Sequence, residues 1–165
     1  MATSSVGRAS RRGVTLLEML VVVTIIALMA GVTYPSVSSG IDTLRLNAAS
    51  QSVVSFLNSG LTRAERRQQA VEVTVARSEN ALYLHSTEPG FEQKLDLPDG
   101  VTIVKILPEL PVESSGPRNF MLYPGGTVPP IGLLLQNRRN TLRLVQVDAM
   151  TGVPQVTTPA SDSSS

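Results

Sequence analysis

The chain of 165 residues has no cysteine and a single histidine, His85. The lack of cysteine excludes disulfide scaffolds, thiol nucleophiles and cysteine-ligated metal sites. One histidine is too few for a histidine-based zinc site, and it gives little support for a Ser-His-Asp catalytic triad. The sequence also lacks the G-x-G-x-x-G, Walker, H-E-x-x-H and G-x-S-x-G patterns. We therefore expect a protein that is not an enzyme and needs no cofactor.

The chain also lacks a charge bias. Fourteen Lys and Arg residues face 13 Asp and Glu residues, and 16% of residues are charged against 42% hydrophobic. This balance fits neither a polybasic nucleic-acid binder nor a disordered polyelectrolyte, and the length suits about one domain. The carboxylates of Glu92, Asp96 and Asp99 lack the D-x-[DN]-x-[DN]-G ladder of a calcium loop. We expect solvated acids there and no metal site.

Long hydrophobic runs are confined to the N-terminal region. Residues 1–13 contain three arginines and no acid, and the 21 residues from Val14 to Tyr34 are almost wholly apolar. As a helix they would extend about 32 Å, close to the hydrocarbon thickness of about 30 Å. The pattern predicts a transmembrane helix over 14–35 with the N-terminus in the cytoplasm. A cleaved secretory signal peptide is the alternative, but the run lacks a good A-x-A site.

Glu18 is the one charged residue within the apolar run. An ionised carboxylate inside a membrane helix costs about 2.5 to 3.5 kcal/mol on insertion scales. The side chain either lies at the level of the lipid headgroups or has a cationic partner.

The segment Arg11-Arg12-Gly13-Val14-Thr15-Leu16-Leu17-Glu18, followed by an apolar helix, resembles the class III signal of type IV pilins and pseudopilins. In that family prepilin peptidase cleaves after the glycine and methylates the new N-terminus. The resemblance implies cleavage after Gly13, N-methylation of Val14, where the family usually has Phe, and Glu18 as the fifth mature residue. The new α-amine would pair with Glu18 of its own or a neighbouring subunit and align helices during assembly.

The N-terminal helix is expected to continue beyond the apolar run. Pro35 is residue 22 counted from Val14, where pilin-like helices often carry a proline that kinks the helix; alternatively, Tyr34-Pro35 ends it. Apolar residues then recur at threes and fours, so residues 36–70 read as an amphipathic continuation, helical from about 40 to 70. The basic residues at its end complement the helix dipole or form a binding surface. These residues are Arg63, Arg66 and Arg67.

Beyond residue 70 the hydrophobic period changes from about 3.6 to about 2. Short β-prone runs predict antiparallel strands over 71–76, 81–85, 101–106, 119–123, 131–135 and 141–147. Residues 71–156 are thus expected to form a periplasmic β domain of two small sheets, and 157–165 a disordered tail. The fold class predicted is α+β, with a long N-terminal helix packed on a small antiparallel β-sheet domain.

Within the pilin-like set, the second half of the chain resembles the GspH/FimT family. Those proteins commonly carry an aromatic-x-x-x-Pro-x-Gly segment, found here from Phe120 to Gly126, and a last strand that ends in Thr-Gly-Arg-Val. Thr151-Gly152 is followed here by Val153 instead of Arg, so the terminal strand either keeps the form usual in the family or is altered.

The resemblance implies a minor pseudopilin, similar to the H component of type II secretion systems, in an inner-membrane-based periplasmic filament. Its expected partners are prepilin peptidase, other major and minor pseudopilins or pilins, inner-membrane lipid and exported protein cargo. The alternatives are a FimT-like minor pilin of a type IV pilus, which primes assembly or takes up DNA, and a secreted or anchored binding module. Arg138, Arg139 and Arg143 are the candidate nucleic-acid contacts. Cleavage removes three of the 14 basic residues, so 11 remain against 13 acidic ones and nucleic-acid binding is disfavoured.

Overall fold

A computed structural model gives the architecture of most of the chain. It describes residues 14–86, 90–110, 116–126, 128–148 and 150–159, without the side chains of residues 32–39. The fold is α+β, as predicted: one helix, α1 (Leu16–Arg67), is followed within these residues by eight strands that form two antiparallel sheets.

The helix α1 has 52 residues and continues through Pro35, so the alternative in which it ends there is wrong. The predicted kink involves the Pro35 side chain, which lies outside the described residues, and stays a prediction. The helix ends three residues before the predicted position 70. Gln68 adopts a left-handed conformation with φ of 53°. The Gln69 amide then donates to the Ala64 carbonyl at 3.2 Å, which closes the last turn.

The chain divides into two compact units, Met1–Ser38 and Ser39–Ser165. In the first unit, all side chains from residue 14 to 31 are exposed. Over the part of the chain that the structure describes, none of the helical segments combines the length and the apolar character needed to cross a membrane.

In the second unit, α1 buries one stripe of small and aliphatic side chains. These are Leu46, Ala49, Val53, Leu57 and Ala64, spaced by three, four or seven residues as one helical face requires. They join a single hydrophobic cluster with side chains of both sheets. Ser50, also buried, donates its hydroxyl to the Leu46 carbonyl at 2.8 Å, so the stripe contains no unpaired hydroxyl.

The strands follow the predicted order, with two additions. Their bounds are β1 (Val71–Ala76), β2 (Ala81–Ser86), β3 (Glu92–Asp96), β4 (Val101–Leu107), β5 (Arg118–Leu122), β6 (Gly132–Asn137), β7 (Leu142–Val147) and β8 (Pro154–Thr157). Six of them confirm the predicted strands with small shifts at the ends. The sequence prediction missed β3 and β8, and β8 extends to Thr157, the first residue of the tail expected to be disordered.

Every strand pair is antiparallel, and the two sheets have the orders β3-β2-β1-β5 and β4-β6-β7-β8. The missed strands β3 and β8 are both edge strands, where one face and one edge meet solvent and apolar alternation is not required. Pro154 opens β8, and its missing amide donor is tolerated there because it is the first residue of an edge strand.

Side chains connect the two sheets. Asn80, in the β1–β2 turn with φ of 53°, donates from Nδ2 to the Val101 carbonyl at 2.6 Å and accepts from the Ile103 amide at 3.0 Å. Arg118 on β5 donates from Nη1 to the carbonyls of Ile106 at 2.9 Å and Pro108 at 2.7 Å. Both contacts satisfy backbone groups of β4 and the segment after it, so they fix β4 against the other sheet.

The β7–β8 connection is organised by Asp148. Its Oδ1 accepts from the amides of Met150 at 2.8 Å and Thr151 at 2.9 Å, while the Gly152 amide donates to the Asp148 carbonyl at 2.8 Å. Gly152 has φ of 69°, a conformation that favours glycine. The strand that follows pairs with β7 in register, so the departure at Val153 does not prevent the terminal strand from forming.

Gly60 permits close approach of α1 to the first sheet. A Cβ atom at this position would lie 2.9 Å from Leu84 Cδ2 and 3.2 Å from Leu122 Cδ1. Larger side chains would therefore displace leucines that are fully buried.

We predict that Gly60→Val lowers the free energy of unfolding by about 1–3 kcal/mol, because the added methyl groups overpack this contact. The measurement is urea unfolding of the full chain in a non-ionic detergent, followed by circular dichroism. Gly40→Val is the matched control, since nothing lies within 4 Å of a Cβ at that helical position. Equal effects of the two substitutions would contradict the close approach.

A second prediction concerns pH. Hydrogen bonds from the backbone amides of Thr151 and then Met150 lower the pKa of Asp148 from its ordinary value of 3.8. The bonds therefore stabilise the fold fully above that unfolded-state value, and this contribution disappears as the pH falls through the lower pKa of the folded state. We expect the advantage in thermal midpoint of the unsubstituted chain over Asp148→Asn to shrink between about pH 6 and about pH 3.

Asp99→Asn serves as the control, because Asp99 is an exposed turn carboxylate. A difference between the unsubstituted chain and Asp148→Asn that stays constant with pH would show that the carboxylate charge is not involved.

Candidate processing and assembly site

Two of the residues predicted to matter for processing and assembly lie at the start of α1, Val14 before the helix and Glu18 in its first turn. Val14 and Glu18 are both exposed, and α1 begins between them at Leu16. Gly13 and the three leader arginines lie outside the described residues, so the predicted cleavage stays a prediction.

Thr15 caps the helix. Its hydroxyl Oγ1 accepts from the Glu18 amide at 3.2 Å, and its carbonyl accepts from the Met19 amide at 3.2 Å. An N-cap threonine satisfies an amide at the helix start that has no partner within the helix. The sequence analysis missed this role, although Thr15-Leu16-Leu17-Glu18 matches the S/T-x-x-E/Q spacing of a capping box.

The cap places Glu18 as the third helical residue, where a carboxylate interacts favourably with the positive end of the helix dipole. Glu18 is the only charged residue from position 14 to 31, and its side chain is exposed. The Thr15 hydroxyl satisfies the Glu18 backbone amide, and the Glu18 carboxylate itself lies on the exposed surface. An exposed carboxylate in an apolar segment is then open to a cation from another chain.

The side chains that surround Glu18 are apolar and exposed on all sides of the helix. Leu16 is 86% exposed, Leu17 75% and Leu28 67%. Exposed apolar surface of this extent marks a region that contacts lipid or another protein. Thr24, the second polar side chain after the cap, donates to the Leu20 carbonyl at 2.7 Å, so its hydroxyl is satisfied within the helix.

The three candidate nucleic-acid contacts lie in the second unit, and each of these arginines contacts a different residue. Arg139 Nε lies 3.5 Å from Asp42 Oδ2 on α1. Arg143 Nε donates to Asn47 Oδ1 at 3.3 Å, also on α1. Arg138 covers Gly100, since a Cβ there would lie 2.8 Å from Arg138 Nε. Two of the three guanidinium groups thus contact the helix, which the sequence alone did not indicate.

The carboxylates considered for metal binding contact basic side chains or lie apart. Asp96 Oδ1 lies 2.8 Å from Lys94 Nζ, and Glu92 Oε1 lies 3.7 Å from His85 Nε2. Within the described ranges, no group of three or more His, Asp or Glu residues could hold a metal ion.

Comparison with known proteins identifies the N-terminal region. Residues 8–34 match the family model described as the prokaryotic N-terminal methylation motif. No curated protein and no solved structure is significantly similar to the chain. The matched residues include the predicted cleavage point, the Thr15 cap and Glu18. They support a type IV pilin-like protein that is processed by prepilin peptidase and assembles with other pilins.

Proposed function

We propose that the chain is a minor pseudopilin of a type II secretion system. Prepilin peptidase cleaves it after Gly13 and methylates Val14, and the subunit then joins an inner-membrane-based periplasmic filament that supports protein export. The observation that carries this proposal is the methylation motif over residues 8–34, with a capped helix that begins three residues after the cut. The GspH/FimT-like segments from Phe120 to Gly126 and at Thr151-Gly152 support the minor-pseudopilin class.

Cleavage would create a charge that the helix start does not favour. The α-amine of Val14 would carry a positive charge beside the positive end of the helix dipole, equivalent to roughly half a charge. A carboxylate nearby offsets this repulsion, and Glu18 supplies one. Because its side chain is exposed, Glu18 can bind the α-amine of a neighbouring subunit as well as its own. Between subunits, this ion pair sets the axial register of two helices.

The apolar surface of the first helical turns determines where the subunit is stored. We propose a single-pass anchor over 14–35, with the N-terminus in the cytoplasm and residues from 36 onward in the periplasm. Entry into the filament exchanges lipid contacts for helix contacts, so the exposed leucines, valines and isoleucines stay out of water in both states. The subunit needs no catalytic group for this role, and we propose that it performs no chemistry itself.

The alternative is a FimT-like minor pilin of a type IV pilus that binds DNA. The ion pair of Arg139 with Asp42 reduces the positive charge available for phosphates, and the bond to Asn47 occupies one donor of Arg143, which favours the secretion role. Affinity for DNA that falls steeply with salt would instead favour the pilus role, because phosphate contacts release counterions.

The first test of the proposal is the mass of the N-terminal peptide of the mature chain, from cells with and without prepilin peptidase. We expect a chain that begins at methylated Val14 only when the peptidase is present. A chain that begins near Gly31, or that keeps its first residues in both strains, would refute pilin-type processing. Gly13→Leu should block the cut.

The second test separates the charge of Glu18 from its place in the capped helix. We expect Glu18→Gln and Glu18→Ala to be cleaved normally but to cross-link to other pilin-like subunits at least about tenfold less, the equivalent of about 1.4 kcal/mol. Thr15→Ala is the control for a weakened helix start, since it removes the cap and keeps the carboxylate. Normal cross-linking of Glu18→Gln would rule out the ion pair.

A further inference from the structure

A cavity of about 430 Å³ lies on the second unit, between one face of α1 and the segment that leads into β3. The residues that matter most for its chemistry are Asn58, Arg63, Arg66, Arg67, Phe91 and Gln93. We call this cavity the arginine groove. None of the features described for prepilin processing or helix assembly uses it.

The arginine groove is strongly positive. Of the described residues that line it, three are arginines and none is acidic. Arg66 and Arg67 occupy the last turn of α1, where they complement the negative end of the helix dipole. That end carries roughly half a negative charge, against the two positive charges of Arg66 and Arg67, so this end of the groove stays positive. Within the described part of the chain, no acidic side chain forms an ion pair with Arg66 or Arg67.

Arg63 forms one wall of the groove. Its guanidinium carbon lies 3.4 Å from the centroid of the Phe91 ring, a stacked cation–π arrangement. The stack covers one face of the only aromatic ring that lines the groove within the described residues. A nucleic-acid base therefore finds little aromatic surface on which to stack, whereas a carboxylate needs only the guanidinium groups.

The other wall belongs to an edge strand. β3 pairs with β2 and is the outermost strand of its sheet, so the backbone of its outer edge can pair with an added strand. Gln93 on β3 lines the groove, and its Oε1 lies 3.5 Å from the Ser59 hydroxyl on α1, which donates to the Phe56 carbonyl at 2.7 Å. A strand edge beside a row of arginines offers backbone hydrogen bonds and carboxylate ligands together.

We propose that the arginine groove binds an extended acidic peptide segment of a partner protein. The segment pairs with the outer edge of β3, and its carboxylates bind Arg66 and Arg67, whose planar guanidinium groups suit bidentate recognition. An edge strand matches a peptide backbone and neither a nucleic acid nor a lipid headgroup. The site lies within residues 55–93, so its test does not depend on cleavage after Gly13 or on the secretion role.

The test measures peptide binding to the full chain in a non-ionic detergent, by fluorescence anisotropy. The probes are a labelled peptide of alternating glutamate and threonine, the same peptide with glutamine for glutamate, and oligothymidylate. We expect the glutamate peptide to bind at least about tenfold more tightly than the glutamine peptide, because charge-assisted bonds are lost. The double variant Arg66→Gln/Arg67→Gln should weaken the glutamate peptide by about tenfold as well.

The matched control is Arg45→Gln/Arg77→Gln, which removes the same charge from two exposed positions that do not line the groove. Its effect should stay within about twofold, as expected for distant surface charges. Equal loss in the two double variants, equal binding of the two peptides, or tighter binding of oligothymidylate through the same arginines would each overturn the proposal. Both double variants should keep the thermal midpoint of the unsubstituted chain. A loss of peptide binding is then not caused by a folding defect.

Location is tested by a thiol, which is unique because the chain has no cysteine. We expect the glutamate peptide to slow maleimide labelling of Gln93→Cys and to leave labelling of Ser78→Cys unchanged, since Ser78 lies exposed in the β1–β2 turn. Equal labelling rates of Gln93→Cys with and without the peptide would place binding elsewhere and refute the groove as the site.

Discussion

The stripe of buried side chains on the second half of α1 is the contact on which the rest of the domain depends. Leu46, Val53 and Leu57 lie fully inside a cluster that also contains residues of both sheets. A helix that is apolar along one face cannot remain in water by itself, and the two sheets each have an apolar face to bury as well. Gly60 brings the helix close enough to the first sheet for these surfaces to meet.

Helix α1 combines two physical regimes in one element. Apart from Glu18 and Thr24, residues 16–31 are apolar, and they are exposed all round, which suits a nonpolar surrounding on every side. From residue 39 onward a single stripe is buried, as on a globular domain. The cap at Thr15 fixes where the helix starts. It thereby sets Glu18 one turn from the amine that cleavage would create. The methylation motif, the exposed surface and the cap therefore concern one short segment.

Periodicity predicted the elements whose side chains alternate between core and solvent. β1 is the clearest example, because Val71, Val73 and Val75 are fully buried. It failed for β3, where four of five residues are exposed, and for β8, which opens on a proline. Leu95 on β3 and Val156 on β8 pack against the core, but both strands are short and lie at sheet edges, so their apolar pattern is weak.

The candidate functional residues also fall into two groups, those that a local motif indicates and those that depend on contacts between distant segments. A local motif was sufficient to predict the processing signal over residues 8–34, whereas the roles of Val14 and Glu18 stay predictions; the T-x-x-E spacing could have indicated the Thr15 cap. Contacts between distant segments could not be read from the sequence. Arg63 on Phe91, Arg139 on Asp42 and Arg143 on Asn47 join residues that are 28 to 97 positions apart, with nothing in the local pattern to pair them.

The bonds of Asn80 and Arg118 to β4 and the segment after it have a consequence for cooperativity. The two sheets are separate ladders, with no strand pair between them among the described residues. Opening one sheet would break these side-chain bonds, leave buried carbonyls and amides of the other unsatisfied, and expose the shared core. We therefore expect neither sheet to stay folded without the other, and the domain to unfold in one transition and not two.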